Sequence, residues 1–215
     1  MSKGKISHII IQPKPFIQAK IMNASISESK FNDHFREKEI NAIIYFLKNT
    51  KYCGKTKLFK LLYYLDFIHF KQTAKSVTGL IYNAWRCGPV PTDLDSELKT
   101  PPFDLQKFLF IPKVPPGEFF QIKIKKGVKF DSGYFSKREL RIMAQIAEIF
   151  YEAKAEDMTK VSHLPNDPWD ITMKSRGERA EIDYMLSFDN TKESLSKERA
   201  QDILNEVEEV RSLFY

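Results

Sequence analysis

The chain has 215 residues, 42% of them apolar and 13% aromatic, which suffices for one substantial core or two small ones. No window approaches the ~18 uninterrupted apolar residues of a membrane span, and Met1-Ser2-Lys3-Gly4-Lys5 leads into Ile9-Ile10-Ile11 too briefly for a secretory leader, so the cytosol is the expected compartment. The net charge of +6 is unevenly spread, +4 over residues 1–32 and +5 over 99–130 against −5 from Glu178 to Arg211, a layout that suits complementary protein surfaces better than a nucleic-acid-reading element.

Residues 1–32, with Pro13, Pro15 and little periodicity, read as an extension that either lies against the body or is disordered by itself. Asn32 or Asp33 is a candidate cap for a helix whose Ile40, Ile43, Ile44 and Leu47 recur on one face, ending near Asn49. After Gly54 comes KLFKLLYYLDFIHF at 57–70, where Leu58, Leu61, Leu62 and Leu65 form one stripe and Phe59, Tyr63, Phe67 and Phe70 another. A helix apolar on most sides belongs at the centre of a fold. Residues 78–86 are strand-like through Ile81, Tyr82 and Trp85. Gly88-Pro89-Val90-Pro91 is expected to stop that strand, with Gly88 and Val90 held extended by the following prolines, and to hand over to a short helix capped by Thr92 and Asp95.

The prolines between 100 and 118 mark a surface connection. Alternation at Phe120, Ile122 and Ile124, with Lys126-Gly127 turning the chain toward Val128 and Phe130, predicts a hairpin. Ser136 and Glu139 have the spacing of a capping box ahead of Leu140, Ile142, Met143, Ile146, Ile149 and Phe150, which predicts a helix over 137–153. A shorter helix with Met158 and Val161 ends near Leu164-Pro165. Asp167-Pro168 opens another that runs to about Gly177, and Ser196 can cap a last one with Ala200, Ile203, Val207 and Val210 as its apolar seam. The expected fold is α+β and mainly helical, a single compact domain with about six helices and a small antiparallel sheet. Its expected parts are an extension (1–32), a body (33–190) and an acidic C-terminal helix (191–215).

Asp66 sits in the apolar helix with Tyr63 and His69 three residues to either side. A buried carboxylate without partners is too costly to persist. Arg86 or backbone N–H groups near the Gly-Pro corner are the expected donors, which favours a structural over a catalytic role. Cys53 and Cys87 are too few for a disulfide scaffold or a thiolate zinc site and read as two buried thiols; no His adjoins Cys87 as a base. Trp85 and Arg86 are residue types in which interface hot spots are rich, with core filling the plainer role for Trp85. His163, in SHLPNDPW, is expected to satisfy helix-end carbonyls beside Trp169 rather than act as an acid or a ligand. His8, His34, His69 and His163 show no HxxxH or HxH spacing, and GxxxxGK[ST], GxGxxG and GxSxG are all lacking, so neither a metal nor a cofactor is expected.

Taken together, KLFKLLYYLDFIHF, TGLIYNAWRCGPVPTDLDSEL, FSKRELRIMAQIAEIF and SHLPNDPWDIT resemble the SocA-like Panacea domain of toxin–antitoxin and phage-associated proteins, over about residues 38–180. The resemblance is carried by Leu61, Tyr63 and Asp66 of the leucine-rich helix and by Trp85, Arg86, Gly88, Pro89, Val90 and Pro91 of the corner, with His163, Pro168 and Trp169 after them. It implies structural or partner-binding roles for these positions, and it brings no catalytic residues. Cys87 stands where the family often has an aromatic residue, which speaks against a required thiol. The resemblance implies a non-enzymatic antitoxin that neutralises a co-encoded toxin by direct protein binding. A proteolytic adaptor, with a protease or chaperone as partner, is the alternative. A nucleic-acid-binding regulator and an enzyme built on Asp66 and His163 are less favoured.

Overall fold

A computed structural model describes residues 34–112, 121–189 and 191–212. The expected extension, the cap at Asn32 or Asp33 and the strand position of Phe120 lie outside the described residues. The first helix, α1, is described over 34–49 and buries Ile40, Ile43, Ile44 and Phe46, the face that its sequence spacing assigns to the core. The two apolar stripes that follow form α2 (Lys55–Thr73), which buries residues on nearly every side and touches β2, α5 and α6 as these are defined below. The fold is thus mainly helical α+β, assembled around α2.

After α2 the chain crosses the helix as β1 (Tyr82–Trp85), turns at Arg86-Cys87, and returns as β2 (Gly88–Pro91). The two strands pair antiparallel from Tyr82↔Pro91 to Trp85↔Gly88. The expectation that Gly-Pro-Val-Pro stops the strand is corrected here, because it is itself the second strand. Proline is tolerated at an edge that needs no N–H there, and the other side of β1 is taken by residues 179–182 through Ala84 N to Ala180 O (2.8 Å) and Ile182 N to Tyr82 O (2.8 Å). The handover to a helix does occur at α3 (Thr92–Lys99), but Thr92 is its first residue and turns its hydroxyl to Asn83 (3.0 Å). Asp95, rather than capping, is buried and ion-paired with Lys55 (2.7 Å) and Lys99.

Residues 103–110, read from sequence as connection, contain α4 (Phe103–Phe108) and β3 (Leu109–Phe110). Leu105 and Leu109 are buried and supply the tertiary contact that the prolines obscure. β3 pairs with β4 (Lys123–Ile124), so the strand at 123–124 does not form a hairpin with Val128 and Phe130, although the chain does turn at Lys126-Gly127. The Ser136–Glu139 capping box is formed in both directions at the start of α5 (Lys137–Ile149), which ends four residues earlier than expected, where Phe150 leaves helical geometry. α6 (Ala155–Ser162) and α7 (Pro168–Ser175) follow, the latter with Pro168 at its first turn. The last helix, α8 (Lys197–Ser212), seats Ala200 against Phe70, Ala74 and Phe188 at the end of α2.

Asp66 explains why β1 lies where it does. It is fully buried. One carboxylate oxygen accepts from the backbone N–H groups of Val77 (2.7 Å) and Thr78 (2.8 Å), the other from the Thr78 hydroxyl and from Tyr82 Oη (2.7 Å). Burial pushes its pKa above the ordinary carboxylate range, and these four donors pull it back. Neither expected donor is used: Arg86 is exposed, and the Gly-Pro corner makes no bond to Asp66. His69 also turns away, its Nδ1 bonding the Lys75 carbonyl at 2.6 Å. Asp66→Ala leaves four donors stranded and is expected to lower stability by about 3–5 kcal/mol, whereas Arg86→Ala changes it by less than about 0.5 kcal/mol, both measured by urea denaturation.

Arg36, beside a second buried carboxyl, Glu39, ties α1 to α3 and α4. Arg36 contacts Glu39 (2.9 Å), Glu97 (2.8 Å) and Asp104 (2.7 Å). Burial lifts Glu39 to about 7, with Glu97 and Asp66 adding repulsion and Arg36 opposing them. A carboxyl raised in the folded state contributes stability that is complete below its unfolded pKa and is lost as the pH rises through the folded one. Between pH 5 and pH 8 the protein is therefore expected to lose up to about 3 kcal/mol more stability than Glu39→Gln, and parallel pH profiles for the two would contradict this.

Candidate functional site

The face of α2 carrying Lys60, Tyr63 and Tyr64, at i, i+3 and i+4, looks toward the β1–β2 turn and the loop between α6 and α7. Lys60 Nζ donates to the Cys87 carbonyl (2.7 Å) and so grips the turn. Arg86 and Cys87 keep negative φ, and the reversal is completed by Gly88 at φ +106°. A Cβ on Gly88 would stand 2.7 Å from both Lys60 Nζ and Ser162 Oγ. The glycine is needed for backbone and for space, which corrects the reading that proline holds it extended.

On the far side, Trp169 is buried on the first turn of α7 and donates its indole N–H to the Trp85 carbonyl (2.9 Å), locking α7 to the hairpin. His163 ends α6, and its ring stacks on Trp169 with centroids 3.8 Å apart and planes 6° from parallel. Burial and the nearby Lys60 charge hold the His163 pKa below its ordinary value. Tyr64 stacks on Phe150 at 5.3 Å, and Tyr63 packs against Phe67 at 4.2 Å. Leu61 is core, Pro89 and Pro91 are buried in β2, and Val90 and Pro168 are half-buried.

The structure therefore brings His163, Trp169, Tyr63 and the turn around Gly88 together, and leaves other named residues apart. Asp66 is enclosed in its own cage of donors, Trp85 is half-buried and joins the cluster through its backbone, and Arg86 faces solvent. Cys87 is exposed and Cys53 only partly buried, so the two thiols are not both core groups as expected. Cys53 borders an open cleft of about 610 Å³ with Leu47, Tyr52, Ile122 and Lys154; Asp66, Arg86 and His163 do not line it. Among the described residues no group of three or more His, Cys, Asp or Glu is placed to hold a metal, and no helix is long and apolar enough to cross a membrane.

Lys60, Tyr64 and Ser162 escaped the sequence reading. A lysine in an amphipathic run is ordinarily a solvated one, and the only hint was its position inside a helix apolar on most sides. Gly88→Ala tests how tightly the cluster closes. It is expected to cost about 2–3 kcal/mol in urea denaturation, combining an unfavourable φ with displacement of Lys60 and Ser162.

The profile of the family described as "Antitoxin SocA-like, Panacea domain" matches residues 58–170, just over half of the chain. Searches among curated proteins and among solved structures found no match. The matched span lies inside the range of about 38–180 over which the sequence resemblance was read. It starts within α2 and ends in α7, and so takes in Asp66 with its donors, the hairpin turn and the stacked His163–Trp169 pair. By that match the chain belongs to the SocA-like, Panacea-domain family of antitoxins.

Proposed function

We propose that this protein neutralises a co-encoded toxin by binding it directly. The body at 33–190 acts as scaffold, and the acidic helix at 191–215 and the basic extension at 1–32 act as contacting elements. Family membership supports the general role. The observation that carries the binding mode is the two-part character of α8. Its first turns are anchored by Ala200 with half-buried Ile203 and Leu204, whereas Glu206, Val207, Glu208 and Glu209 are exposed. A helix docked at one end and presenting three carboxylates beside an aliphatic side chain at the other is suited to a groove that is basic with an apolar floor. The expected occupant is thus a positively charged functional surface of the toxin.

Co-expression with the adjacent open reading frame, scored by growth rescue and co-purification, tests the role. Glu206, Glu208 and Glu209 are exposed and outside the core, and Glu206 pairs only with Arg199 of the same helix (3.7 Å), so reversing all three to Lys is expected to leave the fold intact. The change is expected to weaken the complex at least about tenfold. Separate deletions of 1–32 and 195–215 complete the test, and undiminished toxin binding by all three variants removes the docking model. Loss of the toxin by turnover instead of inhibition would favour the adaptor alternative.

A further inference from the structure

Lys57 and Lys60 are both inaccessible to solvent, one turn apart on α2, yet they are treated very differently. Lys57 Nζ reaches the carbonyls of Lys51, Phe150, Tyr151 and Ala153 at 2.6–3.2 Å and closes the C-terminal end of α5. An ammonium has three protons to donate, but among the described residues Lys60 Nζ reaches only the Cys87 carbonyl. Burial pulls its pKa down to about 8. Next to it the hydroxyl of Tyr64 and Nε2 of His163 are buried without a hydrogen-bond partner, and the Tyr63 hydroxyl, whose oxygen is approached by a backbone N–H, donates to no described residue. Tyr63 is only 3% exposed. The backbone N–H of Trp169, at the N-terminal turn of α7, lies near the Tyr63 oxygen, and Asp167, the residue before that helix, makes no capping bond with its side chain.

The geometry points to a receptor for one carboxylate, formed by Lys60, Tyr63, Tyr64 and His163 at the N-terminus of α7. Leaving one buried donor unmatched is costly, and here several converge, so an incoming acceptor with negative charge resolves them at once. The helix N-terminus adds its partial positive charge. A carboxylate suits the site better than a phosphate. The charge of Asp167 is felt at both tyrosines and disfavours a dianion, while the two oxygens of a planar monoanion can serve Lys60 on one side and the phenols on the other. Tyr64, His163 and Asp167 are only half-buried, and Arg86, Cys87 and Leu164 are exposed on the flanking turn and loop, which gives a way in from solvent. The carboxylate can be carried by a partner protein, as an acidic side chain or C-terminus, or by a free small acid. The first source rests on the antitoxin reading and the second does not.

Full-length protein with isotopically labelled lysine side chains, observed by NMR, separates these cases. Sodium acetate, at ionic strength held constant with sodium chloride, is expected to shift the Lys60 signal saturably. The midpoint is expected to be roughly millimolar, the range that so few non-hydrogen atoms allow, and the Lys60 titration midpoint should move to higher pH. The double variant Tyr63→Phe/Tyr64→Phe keeps ring volume and is expected to weaken the effect at least about tenfold. Lys60→Met identifies the signal. Addition of the neighbouring gene's product distinguishes the sources: a Lys60 shift that abolishes the acetate response assigns the carboxylate to that protein, and an acetate response unaffected by it assigns a free acid. No saturable shift in either arm, or tighter binding of inorganic phosphate than of acetate, overturns the inference. A toxin complex that forms while Lys60 responds neither to it nor to acetate defeats this site but not the antitoxin reading. An acetate response without any complex does the reverse.

Discussion

A carboxylate in the middle of an apolar helix must be answered from outside that helix, because the helix's own N–H groups are engaged in its hydrogen-bond ladder. Asp66 is answered entirely by the segment that follows α2, through Val77, Thr78 and Tyr82. Two donors are backbone and two are hydroxyls, and each pair must reach a different arrangement of carboxylate oxygens. That requirement sets the register in which β1 crosses α2. With β1 placed, β2 follows by pairing, and residues 179–182 complete the other side. A buried charge of this kind is weak evidence for net stability, since an apolar substitute could pack as well. Its stronger effect is that few other arrangements of the chain can satisfy it.

The same logic runs along the rest of α2. Lys57 is answered by three carbonyls where α5 ends and by that of Lys51, which joins the central helix to α5 as Asp66 joins it to the hairpin. Lys60 grips the turn between the strands. Three charged groups on one helix thereby connect it to α5 and, at two points, to the β1–β2 segment. Around them the aromatic rings of Tyr63, Phe67, Phe70, Tyr82 and Tyr184 fill the space with mostly edge-on or tilted contacts. A body held in this way is suited to presenting fixed surfaces to another protein, because its elements cannot shift without uncovering a charge.

The chemistry proposed to face a partner lies at the margins of that body. The free end of α8 carries the exposed carboxylates of Glu206, Glu208 and Glu209, of which Glu206 pairs with Arg199 of the same helix, while its first turn rests on the end of α2 near Phe70. On the other side, the loop of His163 and Trp169 closes over the Lys60 face without matching its donors. The acidic C-terminal part and the donor-rich cluster around Lys60 carry opposite electrostatic character, which under the proposed reading suits two distinct features of one partner.

The sequence by itself determined whatever depends on neighbours within about one helical turn. The stripes of α2, the Ser136–Glu139 capping box and Pro168 at the first turn of α7 are local choices of propensity and capping, and all three are legible in the string of residues. The motif runs that resemble the Panacea domain were legible for the same reason. Tertiary structure decided the partners of the buried charges. Asp66 is matched with residues 11 to 16 positions away and Lys57 chiefly with three carbonyls more than 90 positions away, separations at which no local pattern carries information. It also turned Gly-Pro-Val-Pro from a stop into a strand, because Gly88 can take the positive φ that lets Lys60 and Ser162 approach. It formed α4 among prolines, because Leu105 found a core to enter. Propensity is a sum over adjacent residues, whereas satisfying a buried charge is a demand on the whole chain, and only the folded arrangement shows which groups meet it.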